Sequence, residues 1–207
     1  MKRIHTLFYL ALLSGLLIFT GCSEDEDAPA PVDLEVEEIT DLPADPDRAG
    51  DFTFFSFENG IVASSLSSTA SWDVAFSGTA ILTNGGSSGP GEGAAQIVPS
   101  SFEGVTQAPA DGYREDTEAE PAIVGSDGWY SYTGEAPSGP KHAVLTIPGR
   151  IIVLKTAEGN YAKMEILSYY EGNPDPSTAE FVDLQTRPTS RHYTFRYVVQ
   201  PNGSRQF

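Results

Sequence analysis

From residue 150 the chain reads RIIVLKT, then AEGN, then YAKMEILSYY, and this stretch constrains the fold more than any other. Two runs rich in β-branched and aromatic residues flank a short turn with Gly159, where positive φ costs nothing, so the pattern predicts a β-hairpin. Alternation along its second strand puts Ala162, Met164 and Ile166 on one face, toward a core, and Lys163 and Glu165 on the other. Further short β runs are expected at 32–37, 52–57, 61–62, 71–76, 79–83, 94–98, 128–132 and 192–199. In the last of these Tyr193, Phe195, Tyr197 and Val199 share a face. Residues 42–50 read as a loop, and 99–127 are too polar to assign. No segment beyond the N-terminus sustains a 3.6-residue period, so little helix is expected. The fold class is therefore all-β, a single domain of many short antiparallel strands over residues 32–207.

The N-terminus reads as an address. Met1-Lys2-Arg3 is a basic start, and residues 7–19 are apolar but short for a membrane span. The segment ends in Ile18-Phe19-Thr20-Gly21-Cys22, which resembles a bacterial lipobox. Residues 1–21 are thus expected to be a lipoprotein signal peptide, with Cys22 the lipidation site and membrane anchor. Each buried CH₂ of an acyl chain contributes about 0.8 kcal/mol. Ser23-Glu24-Asp25-Glu26-Asp27 follows and resembles the surface-export signal of Bacteroidetes lipoproteins. Residues 22–31 form an acidic, Pro-containing tether. The expected location is the outer membrane, lipid-anchored and surface-exposed.

Charge narrows the function. There are 12 Lys and Arg against 29 Asp and Glu, a net of -17. Such a balance excludes nucleic acid as partner, because phosphate binding needs clustered cations. Cys22 is the only cysteine, so an internal disulfide, a catalytic thiol and a Cys-based zinc site are all excluded. Serines are plentiful, but beyond residue 21 only His142 and His192 could serve one as a base, so a serine hydrolase is not expected. NGGSSGPGEG at 84–93 lacks the Gly-Lys-Ser/Thr ending of a phosphate loop and reads as a tight turn with close backbone approach. With so many acids, paired carboxylates carry no signal. Trp129, Tyr130 and Tyr132 could stack on a sugar, though such residues are more often half-buried strand positions. No enzyme activity is expected.

Several stretches, in order, resemble the HmuY family of haem-binding lipoproteins. They are Phe54-Phe55-Ser56-Phe57, Trp72-Asp73-Val74-Ala75-Phe76, Thr83-Asn84-Gly85-Gly86, Asp111-Gly112-Tyr113, Glu158-Gly159-Asn160-Tyr161-Ala162-Lys163 and Tyr193-Thr194-Phe195-Arg196-Tyr197. The resemblance implies a hand-shaped all-β fold and haem, or a related tetrapyrrole, as ligand for uptake. It also implies transfer to a TonB-dependent outer-membrane receptor and an iron held by two axial side chains, His or Met. At the positions where the family carries these ligands this chain has Thr133-Gly134-Glu135 and a short segment, 114–127, without His or Met. No axial ligand is carried over. Six-coordinate iron still needs two donors. The candidates beyond residue 21 are His142, His192, Met164 and the tyrosines; Met164 is expected in the core, and His142 lies nearest the expected region. The alternative reading is a structural or accessory surface lipoprotein that engages a partner protein or a glycan on the same scaffold.

Overall fold

The computed structural model describes residues 33–126 and 128–207. The signal segment, Cys22 and the tether at 22–31 lie outside the described residues.

Among the described residues eleven strands form three sheets in which every strand pairing is antiparallel. Strands β1 (Glu37–Pro43), β6 (Ala94–Pro99), β9 (Arg150–Lys155), β10 (Tyr161–Tyr170) and β11 (Ser190–Gln200) make the largest, in the order β1-β11-β10-β9-β6. A second sheet has the order β3-β2-β4-β5, from β2 (Thr53–Ser56), β3 (Gly60–Val62), β4 (Val74–Ser77) and β5 (Ala80–Thr83). The third pairs β7 (Tyr130–Tyr132) with β8 (Val144–Thr146). Among the described residues helix is confined to one 3-10 turn, Ser64–Leu66, and one α-helical turn, α1 (Ala179–Val182).

The hairpin of β9 and β10 folds as its alternation predicts. Gly159 in its turn has φ 81°. Ala162, Met164 and Ile166 are buried and join Tyr193, Phe195 and Tyr197 of β11 in the main core. Aromatic rings stitch this face to the second sheet. Phe195 meets Phe55 edge-on and stacks on Phe76, each at 5.5 Å between centroids.

The opposite face is covered as well, which the polar composition of 99–127 concealed. Phe102, Val105 and Ala108 pack on Ile151, Val153 and Val198. Lys163 is buried here. Its ammonium donates to Phe102 O at 3.0 Å and Val105 O at 2.8 Å, and it sits 4.6 Å from the Phe102 ring. Two carbonyls and a π-face replace the water that a buried ammonium would otherwise lose.

The first strand is displaced from its expected place at 32–37. It starts at Glu37 and runs through Pro43, into the expected loop. Tertiary pairing decided this. Ile39 lies opposite Phe195 and Leu42 opposite Tyr193, with a bulge between them where Asp41 has φ 54°. The alternating Val36 is left 58% exposed. Pro43 closes an edge strand, where its missing N–H is harmless.

The glycine-rich loop is a close-approach turn around Asn84, as its composition indicates. Asn84 is fully buried; its side chain donates to Thr69 O and Trp72 O and accepts from Gly91 N–H. A Cβ on Gly91 would lie 2.6 Å from Asn84 O, and one on Gly93 2.6 Å from Asn84 C, so side chains there have no room.

Candidate functional site: an aromatic groove between β8, β10 and α1

The second half of β10 departs from regular pairing. Its register against β11 shifts on both sides of Ser168. The Ser168 hydroxyl accepts from Tyr170 N–H at 2.9 Å and donates to Tyr170 O at 3.0 Å, which holds the bulge. Two consecutive tyrosines are then both buried. Tyr169 packs on Trp129 and Tyr193. Tyr170 meets Phe181 of α1 edge-on at 4.7 Å, and its hydroxyl accepts from Val144 N–H at 3.0 Å, tying β10 to β8. Helix α1 forms because Thr178 caps it, accepting from Phe181 N–H, and because Phe181 is buried.

These elements leave a groove of about 440 Å³, lined chiefly by Val144, Leu145, Leu167, Tyr169, Tyr170 and Phe181 and by the loop of Asn173, Pro174, Asp175 and Pro176. That volume falls in the range of small-ligand sites. Burial pushes the Tyr169 phenol up to about 12, so this wall stays neutral at physiological pH.

Arg187 donates to Phe181 O at 2.7 Å and to His142 O at 3.4 Å, with its guanidinium 4.9 Å from the Phe181 ring. His142 sits on the connection between β7 and β8 at φ 50°, its N–H bonded to Gly134 O at 2.8 Å. Its ring Nδ1 lies 2.9 Å from the Tyr132 hydroxyl, and Nε2 lies 2.7 Å from a Glu135 oxygen. A carboxylate only accepts, so in the neutral ring Nε2 carries the hydrogen and Nδ1 accepts from Tyr132. Lys141 pairs with the other Glu135 oxygen at 3.2 Å. Hydrogen bonds from Lys141 and His142 hold the Glu135 carboxyl below its usual range.

The two candidate histidines are not brought together. His192 lies on β11 opposite Pro43, with Nδ1 3.1 Å from Ser190 O. Among the described residues no hydrogen bond or ring contact joins it to His142. Met164 is buried in the core, as expected. Among the described residues no group of three or more His, Cys, Asp or Glu side chains could hold a metal ion. Trp129 is 1% exposed and packs on Tyr130, Tyr169 and Tyr193, so it is a core residue and offers no face to a sugar. Tyr132, at 56% exposure, is the outward member of that aromatic run. Sequence reasoning missed Arg187 and Phe181, which sit in no recognisable pattern.

A second cavity, of about 420 Å³, is lined by Glu37, Glu58, Asp73 and Glu158 among others. Its carboxylates repel an acidic ligand, whereas the aromatic groove has one lining carboxylate, Asp175, and the Arg187 guanidinium against its Phe181 wall. No helix among the described residues is long and apolar enough to cross a membrane.

Comparison with known proteins agrees with this architecture. Apo PinO from Porphyromonas gingivitis aligns with a TM-score of 0.51 at 13% identity, over 82% of this chain and 99% of its own, and shares the fold. An apo HmuY analog from Tannerella forsythia aligns with a TM-score of 0.49 at 16% identity, over 81% of this chain and 96% of its own. No curated protein sequence matches the chain. The family described as HmuY protein matches residues 49–197, well over half of the sequence, and the match spans β2 to β10 and most of β11. The chain belongs to the HmuY family.

Proposed function

We propose that this HmuY-family chain is a lipid-anchored outer-membrane protein that binds haem or a related tetrapyrrole for uptake, through the groove between β8, β10 and α1. The observation that carries the reading is an aromatic groove of small-ligand volume with the Arg187 guanidinium over its Phe181 wall, on a chain that is otherwise strongly acidic. The apolar walls would cover the faces of a planar macrocycle, and Arg187 would pair with a propionate. A bound haem supplies an iron that accepts axial donors. The groove lining itself contains no His, Met or Cys, and His142, linked to the Phe181 wall through Arg187, is the first candidate donor. His192 remains the other histidine candidate. The anchor on Cys22 and delivery to a TonB-dependent receptor are part of the same proposal and rest on the sequence resemblance.

Titration of the purified protein with haemin tests the reading. A saturable one-to-one Soret shift is expected, weakening with salt as rim charges are screened. A folded protein that gives no shift at tens of micromolar haemin (about −6 kcal/mol or weaker) contradicts it, and favours the accessory reading, in which a partner protein occupies the scaffold.

A further inference from the structure

We infer that Asp175 sets the specificity of the groove, admitting tetrapyrroles whose acidic groups lie on one edge and rejecting those that carry carboxylates on the opposite edge as well. The inference rests on the haem-binding reading above and narrows its ligand class. Among the described residues that line the groove, Asp175 is the one charged side chain. The others offer carbon, hydroxyls and one amide. Two of those hydroxyls are already used: Ser168 bonds both backbone groups of Tyr170, and the Tyr170 hydroxyl accepts from Val144 N–H. A ligand entering the groove therefore meets one fixed charge, and that charge is negative. Hydrogen bonds from Ser177 hold the Asp175 carboxyl below its usual range, so it is ionised at neutral pH.

The carboxylate is held in place. Pro174 and Pro176 flank it, and the second confines Asp175 itself to extended backbone. Its Oδ1 accepts from Ser177 N–H at 2.8 Å and from the Ser177 hydroxyl at 2.7 Å. Among the described residues no cation pairs with it. Helix α1 gives this wall a direction. Asp175 stands before its N-terminus, where its carbonyl accepts from Thr178 N–H at 3.2 Å. Arg187 stands at the other end, bonded to the carbonyls of Phe181 and Val182. The propionates of haem share one edge of the macrocycle, and the opposite edge carries vinyl and methyl groups. The favoured pose turns the propionate edge away from Asp175, toward Arg187, and the hydrocarbon edge toward Asp175. A ligand with carboxylates on both edges must place one against Asp175. An uncompensated like charge is how a site rejects a near-identical ligand. Asp175 is exposed, so solvent screening holds the expected penalty to about tenfold.

The test uses metal-free porphyrins, whose binding does not depend on an iron donor. Fluorescence titrations would compare protoporphyrin IX with coproporphyrin III, in which propionates replace the vinyl groups. The proteins are the wild type, Asp175→Asn and Glu180→Gln, with thermal midpoints measured in parallel. Asp175→Asn keeps an acceptor for the Ser177 bonds. Glu180→Gln removes the same charge from an exposed residue of α1 outside the lining. Coproporphyrin should bind the wild type about tenfold more weakly than protoporphyrin, and Asp175→Asn should narrow the gap to about threefold or less. Glu180→Gln should leave the gap as it is. Equal affinities in the wild type, a gap unchanged in folded Asp175→Asn, or one narrowed equally by Glu180→Gln overturns the inference and leaves the haem reading standing. Absence of saturable binding of both protoporphyrin and haemin to the folded wild type overturns both.

Discussion

Phe195→Ala is expected to lower the free energy of unfolding by about 3–5 kcal/mol, as for other large aromatic deletions in a core. The side chain is fully buried on β11. It stacks on Phe76 of β4, touches Phe55 of β2 edge-on, and also contacts Tyr197 at 6.0 Å. Its removal would open a cavity between the largest sheet and the second sheet, where few neighbours can relax inward. Total stability of a domain is about 5–15 kcal/mol, so the loss is a large fraction of the whole. Ile61, 63% exposed on edge strand β3, is the control: Ile61→Ala should change stability by no more than about 0.5 kcal/mol. Urea unfolding of the three proteins would check this, and equal effects at both sites would contradict the assigned core.

Asp73→Ala should cost about 2–6 kcal/mol, from two buried backbone donors left without acceptors at about 1–3 kcal/mol each. One carboxyl oxygen accepts from Phe57 N–H at 2.8 Å, and the other accepts from Ala157 N–H at 2.9 Å. The first partner follows β2 and the second belongs to the β9–β10 turn, so a single side chain joins segments far apart in sequence. Burial pushes the Asp73 carboxyl above its usual value, against the lowering effect of the Ala157 and Phe57 bonds. The sign of the pH dependence follows. The folded state holds this proton to higher pH than the unfolded chain does. The group's pH-linked contribution is therefore fully present below the unfolded value of 3.8 and is lost as pH rises through the folded one. The stability gap between wild type and Asp73→Ala should narrow as pH rises from about 4. A gap that widens over that window would contradict the assignment.

The strands that were legible in sequence are those whose alternation matches a buried face. β10 and β11 are long enough to show a period of two over many residues, and their partners follow. β1 was misplaced because the residues that best alternate, at 32–37, are not the ones that find Phe195 and Tyr193 opposite them. β8 spans only Val144–Thr146, too short for any period to show. The cover of the second face was hidden because Phe102, Val105 and Ala108 are scattered through polar residues. Asn84 and its glycines were readable because several glycines in ten residues admit few conformations other than close approach. The groove was not readable at all. It arises from a bulge at Ser168 and a four-residue helix, neither of which has a sequence signature. Tyr132 and His142 were each singled out in sequence, Glu135 only as part of the segment that stands where the family carries a ligand. Their union depends on the register of β7 against β8, which three-residue strands do not reveal.

The central claim is that the aromatic groove receives the tetrapyrrole, and filling the groove tests it most directly. Leu167 lines it and is half-buried, so Leu167→Trp should occupy the space without disturbing the main core. Haemin titrations of wild type and Leu167→Trp, with thermal midpoints measured in parallel, would decide. The expected result is a saturable one-to-one Soret shift in the wild type and an affinity at least about tenfold lower in the variant, or about 1.4 kcal/mol, with similar midpoints. A shift of equal affinity in both proteins, or none in either, would contradict the claim.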